Sequence, residues 1–374
     1  MKLPWIATGV VAALLLSAHV QAACPSPSAD QTVALPGHPF AAEPSPDNCH
    51  LFVSLFSGYD KGALAVLSNV GGTFRITRIV KLPRGSGGGL TLTHNATLLA
   101  LAAEDAVILF NVAKLDTPDQ QPLVALIPDG GRGAIYTQFS KDDALLFASE
   151  ERNASLAVID VPSALQGRGD KALVSRIPVG VAPVGLALSA DGRYLFSTSQ
   201  IVGTSEDCKP EQDIERRHGK GAVLSIDVAK ARNEPSRAVV GLVQAGCNPV
   251  RVVTSSDGHF LWVSQRGDGR VMGFDPALLA PGAAASHAIS IDVGLSPVGL
   301  ALRPDGAQLW VANSDRFGAS GSSLALVEPA NPMHARLTGT WKVGRFPRDL
   351  RFLPDGRTLV IGLFGDNAVM LHPT

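Results

Sequence analysis

The segment Ser296–Ser314, SPVGLALRPDGAQLWVANS, recurs within this chain. APVGLALSADGRYLFSTSQ begins at Ala182, NPVRVVTSSDGHFLWVSQR at Asn248 and FPRDLRFLPDGRTLVIGLF at Phe346. The acidic or amide residue of the turn serves as a ruler. Asp47, Asn95, Asp142, Asp191, Asp257, Asp305 and Asp355 follow one another at 47 to 50 residues, with one longer step of 66 before Asp257. Seven copies thus account for nearly all of the 374 residues. A period of this size marks units that cannot bury an apolar face alone and must stack on their neighbours.

The texture of each copy says what the unit is. PVGLAL, YLFST and AVLSID are short apolar runs, rich in β-branched and aromatic residues and bounded by Gly, Pro and Asp. The DG or DDA between the first two runs suits a tight hairpin turn. A looser run such as RAVVGLVQAG or ARLTGTWKVG ends the copy, and no apolar stretch at helical spacing competes. Each copy therefore reads as four antiparallel strands, and seven such sheets arranged radially make an all-β seven-bladed propeller. The last copy supplies three strands, Asp349–Pro354, Thr358–Leu363 and Ala368–His372. Residues 31–36, QTVALP, parallel the outer strand of other copies and are expected to complete blade 7, covering an open sheet edge.

With these residues in view, SPVGLALRPDGAQLWVANS resembles the repeat of the YVTN propellers of the lactonase-like superfamily, over residues 31–374 and most clearly in blades 4 to 7. The resemblance implies the seven-bladed fold. For activity it implies a range: ring-opening lactonases, ring-closing cyclases, cofactor-bearing subunits and binding propellers share the architecture.

Residues 1–22 carry one Lys, an apolar core from Ile6 to Leu16, and Val20 and Ala22 at small-residue cleavage positions. This is the pattern of a cleaved export signal, too short in its apolar core to span a membrane. The expected organisation is a signal at 1–22, a tail at 23–30 and one domain at 31–374, with an insertion at 201–219 in blade 4. The setting is periplasmic or secreted, as a monomer without a membrane span. The 32 basic and 33 acidic residues exclude the basic surface that nucleic acid requires. Four cysteines in an exported chain read as two disulfides. Cys208 in the insertion and Cys247 in the loop entering blade 5 share one rim, whereas Cys49 and the tail residue Cys24 do not. Cys208–Cys247 and Cys24–Cys49 are the expected pairs. QAAC lacks the aliphatic residue of a lipidation signal, and neither a C-x-x-C nor a nearby His argues for a metal.

In a repeat protein the shared residues build the scaffold, so function belongs where one copy departs. The column of Gly299 reads Ala41, Gly89, Tyr136, Gly185, Arg251, Gly299, Asp349. Small residues suit the narrow channel, and Tyr136, Arg251 and Asp349 break the rule. Two columns after the second strand read Leu55, Ala103, Glu150, Ser199, Gln265, Asn313, Leu363 and Phe56, Glu104, Glu151, Gln200, Arg266, Ser314, Phe364. The candidate ligand-binding set is therefore Tyr136, Glu150, Glu151, Gln200, Arg251, Arg266 and Asp349, with His38 and His218 on the same face. A channel mouth lined this way suits a small anionic molecule or an exported protein partner, without a cofactor or metal. The enzymatic alternative takes Glu150 or Glu151 as base and Arg251 or Arg266 as anion holder. The competing structural reading pairs Arg251 with Asp349 across the mouth.

Overall fold

The computed structural model describes residues 23–58, 61–204, 208, 219–279, 288–315, 318, 321–328 and 330–374. Among these, seven four-stranded antiparallel sheets, one per repeat, surround a central channel. Blade 4 shows the unit: inner strand Val181–Leu188, then Tyr194–Thr204, Gly219–Asp227 and the outer strand Val239–Cys247. The turn between the first two strands is locked by its own residues. In blade 5 the Ser255 hydroxyl donates to Asp257 Oδ1, which also accepts the His259 N–H at 3.0 Å, and Gly258 takes a φ of +76°. Ser189 with Asp191, and Ser140 with Asp142, repeat the arrangement.

Alternation along each strand points apolar side chains to both faces, and both faces pack on neighbouring blades. Phe52, Leu64 and Val66 of blade 1 meet Leu90, Leu99 and Ile108 of blade 2. Leu51 and Val53 of the same strand turn the other way, to Val360 and Val369 of blade 7. Each fully buried Leu or Phe of this kind contributes about 1.5–3 kcal/mol. The core is thus a ring of inter-blade seams.

The ring closes as the repeat predicts. Gln31–Ala34 pairs antiparallel with Ala368–Leu371 as the outer strand of blade 7. The Gln31 amide then reaches blade 1, donating to Phe74 O at 2.6 Å and accepting the Phe74 N–H at 3.0 Å. Both expected disulfides are present, Cys24–Cys49 and Cys208–Cys247. Cys24 is thereby fixed against blade 1, with its N–H donating to Asp47 O at 2.8 Å.

One local feature departs from the reading. Single-turn helices, Val112–Leu115, Val161–Leu165 and Gly169–Ala172, occupy connections to outer strands. They are too short to imprint a periodic pattern, and the first two start on Asn111 and Asp160, whose side chains accept the Lys114 and Ser163 N–H groups. Among the described residues no helix is long and apolar enough to cross a membrane. The expected signal, His218 and most of the blade 4 insertion lie outside the described residues.

Candidate functional site at the channel mouth

Six of the inner strands carry a register shift near the mouth, which sets two consecutive side chains opposite one residue of the second strand. In blade 5 the shift lies between Pro249 and Val252, so that Arg251 is the bulged residue. Its N–H donates to Ser264 Oγ at 2.9 Å, and that hydroxyl donates onward to Val298 O of blade 6 at 3.1 Å. Ser149 and Thr198 do the same, donating to Val184 O and Val250 O, each at 2.8 Å. A hydroxyl in the second strand thus holds its own bulge and the next blade together. At the start of four inner strands, Ala182, Asn248, Ser296 and Phe346 hold φ between 48° and 52°. Each precedes a proline, and the left-handed turn swings the chain inward at the mouth.

The bulges aim the three unusual residues into the channel, where they close it. The Arg251 guanidinium bonds Asp349 Oδ1 and lies 3.8 Å from the centre of the Tyr136 ring. Asp349 Oδ2 accepts the Ala42 N–H of blade 1 at 2.9 Å. Tyr136 lies across blade 2, where a Cβ on Gly89 would come within 2.0 Å of the ring. All three are buried, with Arg251 6% and Asp349 1% exposed. Burial pushes the Tyr136 phenol up, although Arg251 and Arg348 draw it down. Below this plug, Glu43 Oε2 and Arg351 Nε stand 3.5 Å apart. Glu43 keeps 21% of its side chain accessible, yet burial is the largest influence on it. That burial, with the nearby Asp349 carboxylate, pushes Glu43 up to about 7 against the opposing charge of Arg351.

Above the plug, a cavity of about 100 Å³ is lined by Glu151, Arg266 and Arg348 over Ile135, Tyr136, Val184, Val250, Val298 and Phe346. Glu151 Oε1 accepts from the Gln200 amide at 3.1 Å, and Gln200 Oε1 accepts from Arg266 at 3.0 Å. This chain of polar groups crosses blades 3, 4 and 5. The Arg348 guanidinium lies 3.9 Å from the centre of the Phe40 ring. His38 stacks on Phe364 at 4.7 Å, and Phe346 meets Phe364 at 4.9 Å.

The structure therefore divides the sequence candidates. Glu151, Gln200, Arg266 and Tyr136 converge on the mouth, as read. Arg251 and Asp349 converge as well, but on each other, which is the structural reading. Glu150 points elsewhere. It is 0% exposed, and its carboxylate accepts Arg176 Nε at 2.9 and 3.0 Å together with the Ser155 hydroxyl. Glu150 thus stands apart from the residues gathered at the mouth. The cause is the pleat, since successive residues at the end of a strand face opposite ways. Arg348, Glu43 and Arg351 escaped the sequence reading. The column two residues beyond Gly299 reads Glu43, Thr91, Gln138, Ala187, Val253, Ala301, Arg351. Its two charged departures were the available signal.

No protein-family model matches the chain, and no curated protein is found similar to it. Solved structures are similar in fold. A chain of the Kuenenia stuttgartiensis hydrazine synthase superposes with a TM-score of 0.70 at 18% identity, over 91% of this chain and 97% of that one. The Myceliophteria thermophila Cps50 (Swd1) β-propeller domain gives 0.66 at 12% identity, over 92% and 99%. A chain of a mitotic checkpoint complex gives 0.69 at 12% identity, over 100% and 98%. At these identities the likeness extends to the propeller fold alone.

Proposed function

We propose that this chain is an exported binding propeller of the YVTN-repeat, lactonase-like kind, whose channel mouth takes the anionic group of a small molecule. The observation that carries the reading is the mouth cavity, where Arg266 and Arg348 stand with Glu151 over an apolar floor. Among the described residues, two guanidiniums against one carboxylate favour an anion, and their planar forks suit a carboxylate or phosphate. The apolar floor selects a short hydrocarbon body behind the charge. The plug keeps the ligand at the rim, since Arg251, Asp349 and Tyr136 fill the channel beneath. Two disulfides fit an oxidising compartment, periplasmic or extracellular. An acidic segment of an exported protein partner is the larger version of the same ligand.

Calorimetry of the full chain with a panel of short-chain carboxylates and phosphates tests this. At least one member is expected to bind, and Arg266→Ala with Arg348→Ala together should weaken it by about tenfold or more. Absence of binding across the panel, or an unchanged affinity in the double variant, rejects the reading. The ring-opening or ring-closing alternative rests on Glu151, the one carboxylate among the described residues that lines the cavity. It requires turnover of a lactone or cyclisable acid that Glu151→Gln removes.

A further inference from the structure

A second cavity, of about 280 Å³, lies on the opposite rim at the seam of blades 4 and 5. Its wall is formed by Tyr194, Phe196 and Leu279, with Asp191 and Asp257 at the edge and Ser225 within. Ser225 is the informative residue. It pairs in register with Phe196, and the matching positions on the other blades are Val66, Leu109, Val158, Gly273, Leu326 and Leu371. Six copies place an apolar residue or glycine where side chains fill the seam; blade 4 alone places a hydroxyl. Ser225 is 1% exposed, and among the described residues its hydroxyl has no hydrogen-bond partner where it borders open space. Buried hydroxyls are normally paired, so one left unpaired and facing a cavity wants a partner.

The two carboxylates are likewise half engaged. Asp191 Oδ1 accepts from the Ser189 hydroxyl at 2.6 Å and the Arg193 N–H at 2.9 Å, leaving Oδ2 open. Asp257 Oδ1 is held in the same way by Ser255 and by the His259 N–H at 3.0 Å. These turn hydrogen bonds keep both groups below the usual carboxylate range, hence ionised at neutral pH. Lys141 donates to Ala190 O at 2.9 Å and the Arg193 guanidinium lies 5.1 Å from the centre of the Tyr194 ring, but neither lines the cavity. Among the described residues, the charged groups that do line it are the two carboxylates.

We propose that this cavity is a separate binding site for a small protonated amine carried on an apolar body. The body lies against Tyr194, Phe196 and Leu279, the ammonium meets the Oδ2 atoms of Asp191 and Asp257, and the Ser225 hydroxyl fixes a polar group at depth. Tyramine hydrochloride, whose phenol supplies that polar group, is a suitable probe, with N-acetyltyramine and 3-(4-hydroxyphenyl)propionate as neutral and anionic controls. Calorimetry on the full chain should show binding of the ammonium and at least about tenfold weaker binding of both controls. Ser225→Val installs the residue that blades 1 and 3 carry, so the fold survives and the affinity falls by about tenfold or more. Asp257→Asn keeps the turn acceptor and should weaken the ammonium alone. The mouth variants Arg266→Ala and Arg348→Ala should leave this binding unchanged, which separates the two sites. Absence of binding overturns the proposal, as does equal binding of the N-acetyl control or an unchanged affinity in Ser225→Val.

Discussion

At the scale of single residues, the channel holds charges that the fold has enclosed, and their response to substitution follows from what encloses them. Arg251 and Asp349 are both buried, and each is the other's ionic partner. Arg251→Ala leaves Asp349 with one N–H donor, from Ala42, and no adjacent counter-charge from blade 5. Breaking such a pair typically costs about 3–5 kcal/mol, whereas removing both charges is far milder. Denaturant unfolding should therefore show a large loss in Arg251→Ala and partial recovery in Arg251→Ala with Asp349→Ala. Equal stability of the single variant and the native protein would contradict the pairing. Glu43 gives a pH signature. Its pKa is raised to about 7 in the folded chain, so between its unfolded value of 4.5 and 7 the folded state binds the proton more tightly. Stability from this group is thus greatest below pH 4.5 and declines as pH rises through 7, by no more than about 3 kcal/mol. Glu43→Gln should flatten the melting-temperature profile between pH 5 and 8. A slope unchanged by that substitution would place the titration elsewhere.

At the scale of strands and turns, the repeat made the hairpins legible because each turn writes its own chemistry into the sequence. Ser255, Asp257 and Gly258 specify one conformation through local hydrogen bonds and a positive φ, with no help from distant residues. The closing strand was legible too, since QTVALP matches the outer strands of the other copies. What the pattern did not show was direction at the strand end. Glu150 and Glu151 are adjacent, yet one is claimed by Arg176 of its own blade and the other opens on the mouth. Arg176 sits 26 residues away from Glu150, and nothing local announces the pairing. Closure yields a prediction at this scale. Val33 lies on the closing strand and packs into the seam of blades 7 and 1. Val33→Asp should lower the melting temperature by several degrees, and a chain beginning at Phe40 by about 5–10 °C. An unaltered melting temperature in the shortened chain would refute the role of the strand.

At the scale of the whole molecule, the ring is continuous through peptide bonds everywhere except inside blade 7. There Gln31–Ala34 and Ala368–Leu371 meet without a covalent link, through strand pairing and the packing of Val33. Cys24–Cys49 anchors the tail that leads into the closing strand, supported by the Asn69 amide donating to Pro25 O at 2.8 Å. Cys208–Cys247 instead ties an insertion to its own blade. Loop entropy alone ranks the two bonds the other way. The separations are 25 and 39 residues, so the longer loop should stabilise more, by about 0.4 kcal/mol. Ring closure predicts that the shorter one matters more, because losing it frees the strand that prevents blade 7 from opening. Cys24→Ser with Cys49→Ser should therefore lower the melting temperature further than Cys208→Ser with Cys247→Ser. Amide exchange should accelerate at Gln31–Ala34 and Ala368–Leu371 in the first variant, by about tenfold or more, while the inner strands of blades 3 to 5 stay protected. In the second variant the acceleration should be confined to blade 4 and the entry to blade 5. A greater loss of stability on removing Cys208–Cys247, or undisturbed exchange at Ala368–Leu371 without Cys24–Cys49, would mean that the ring does not depend on its tail.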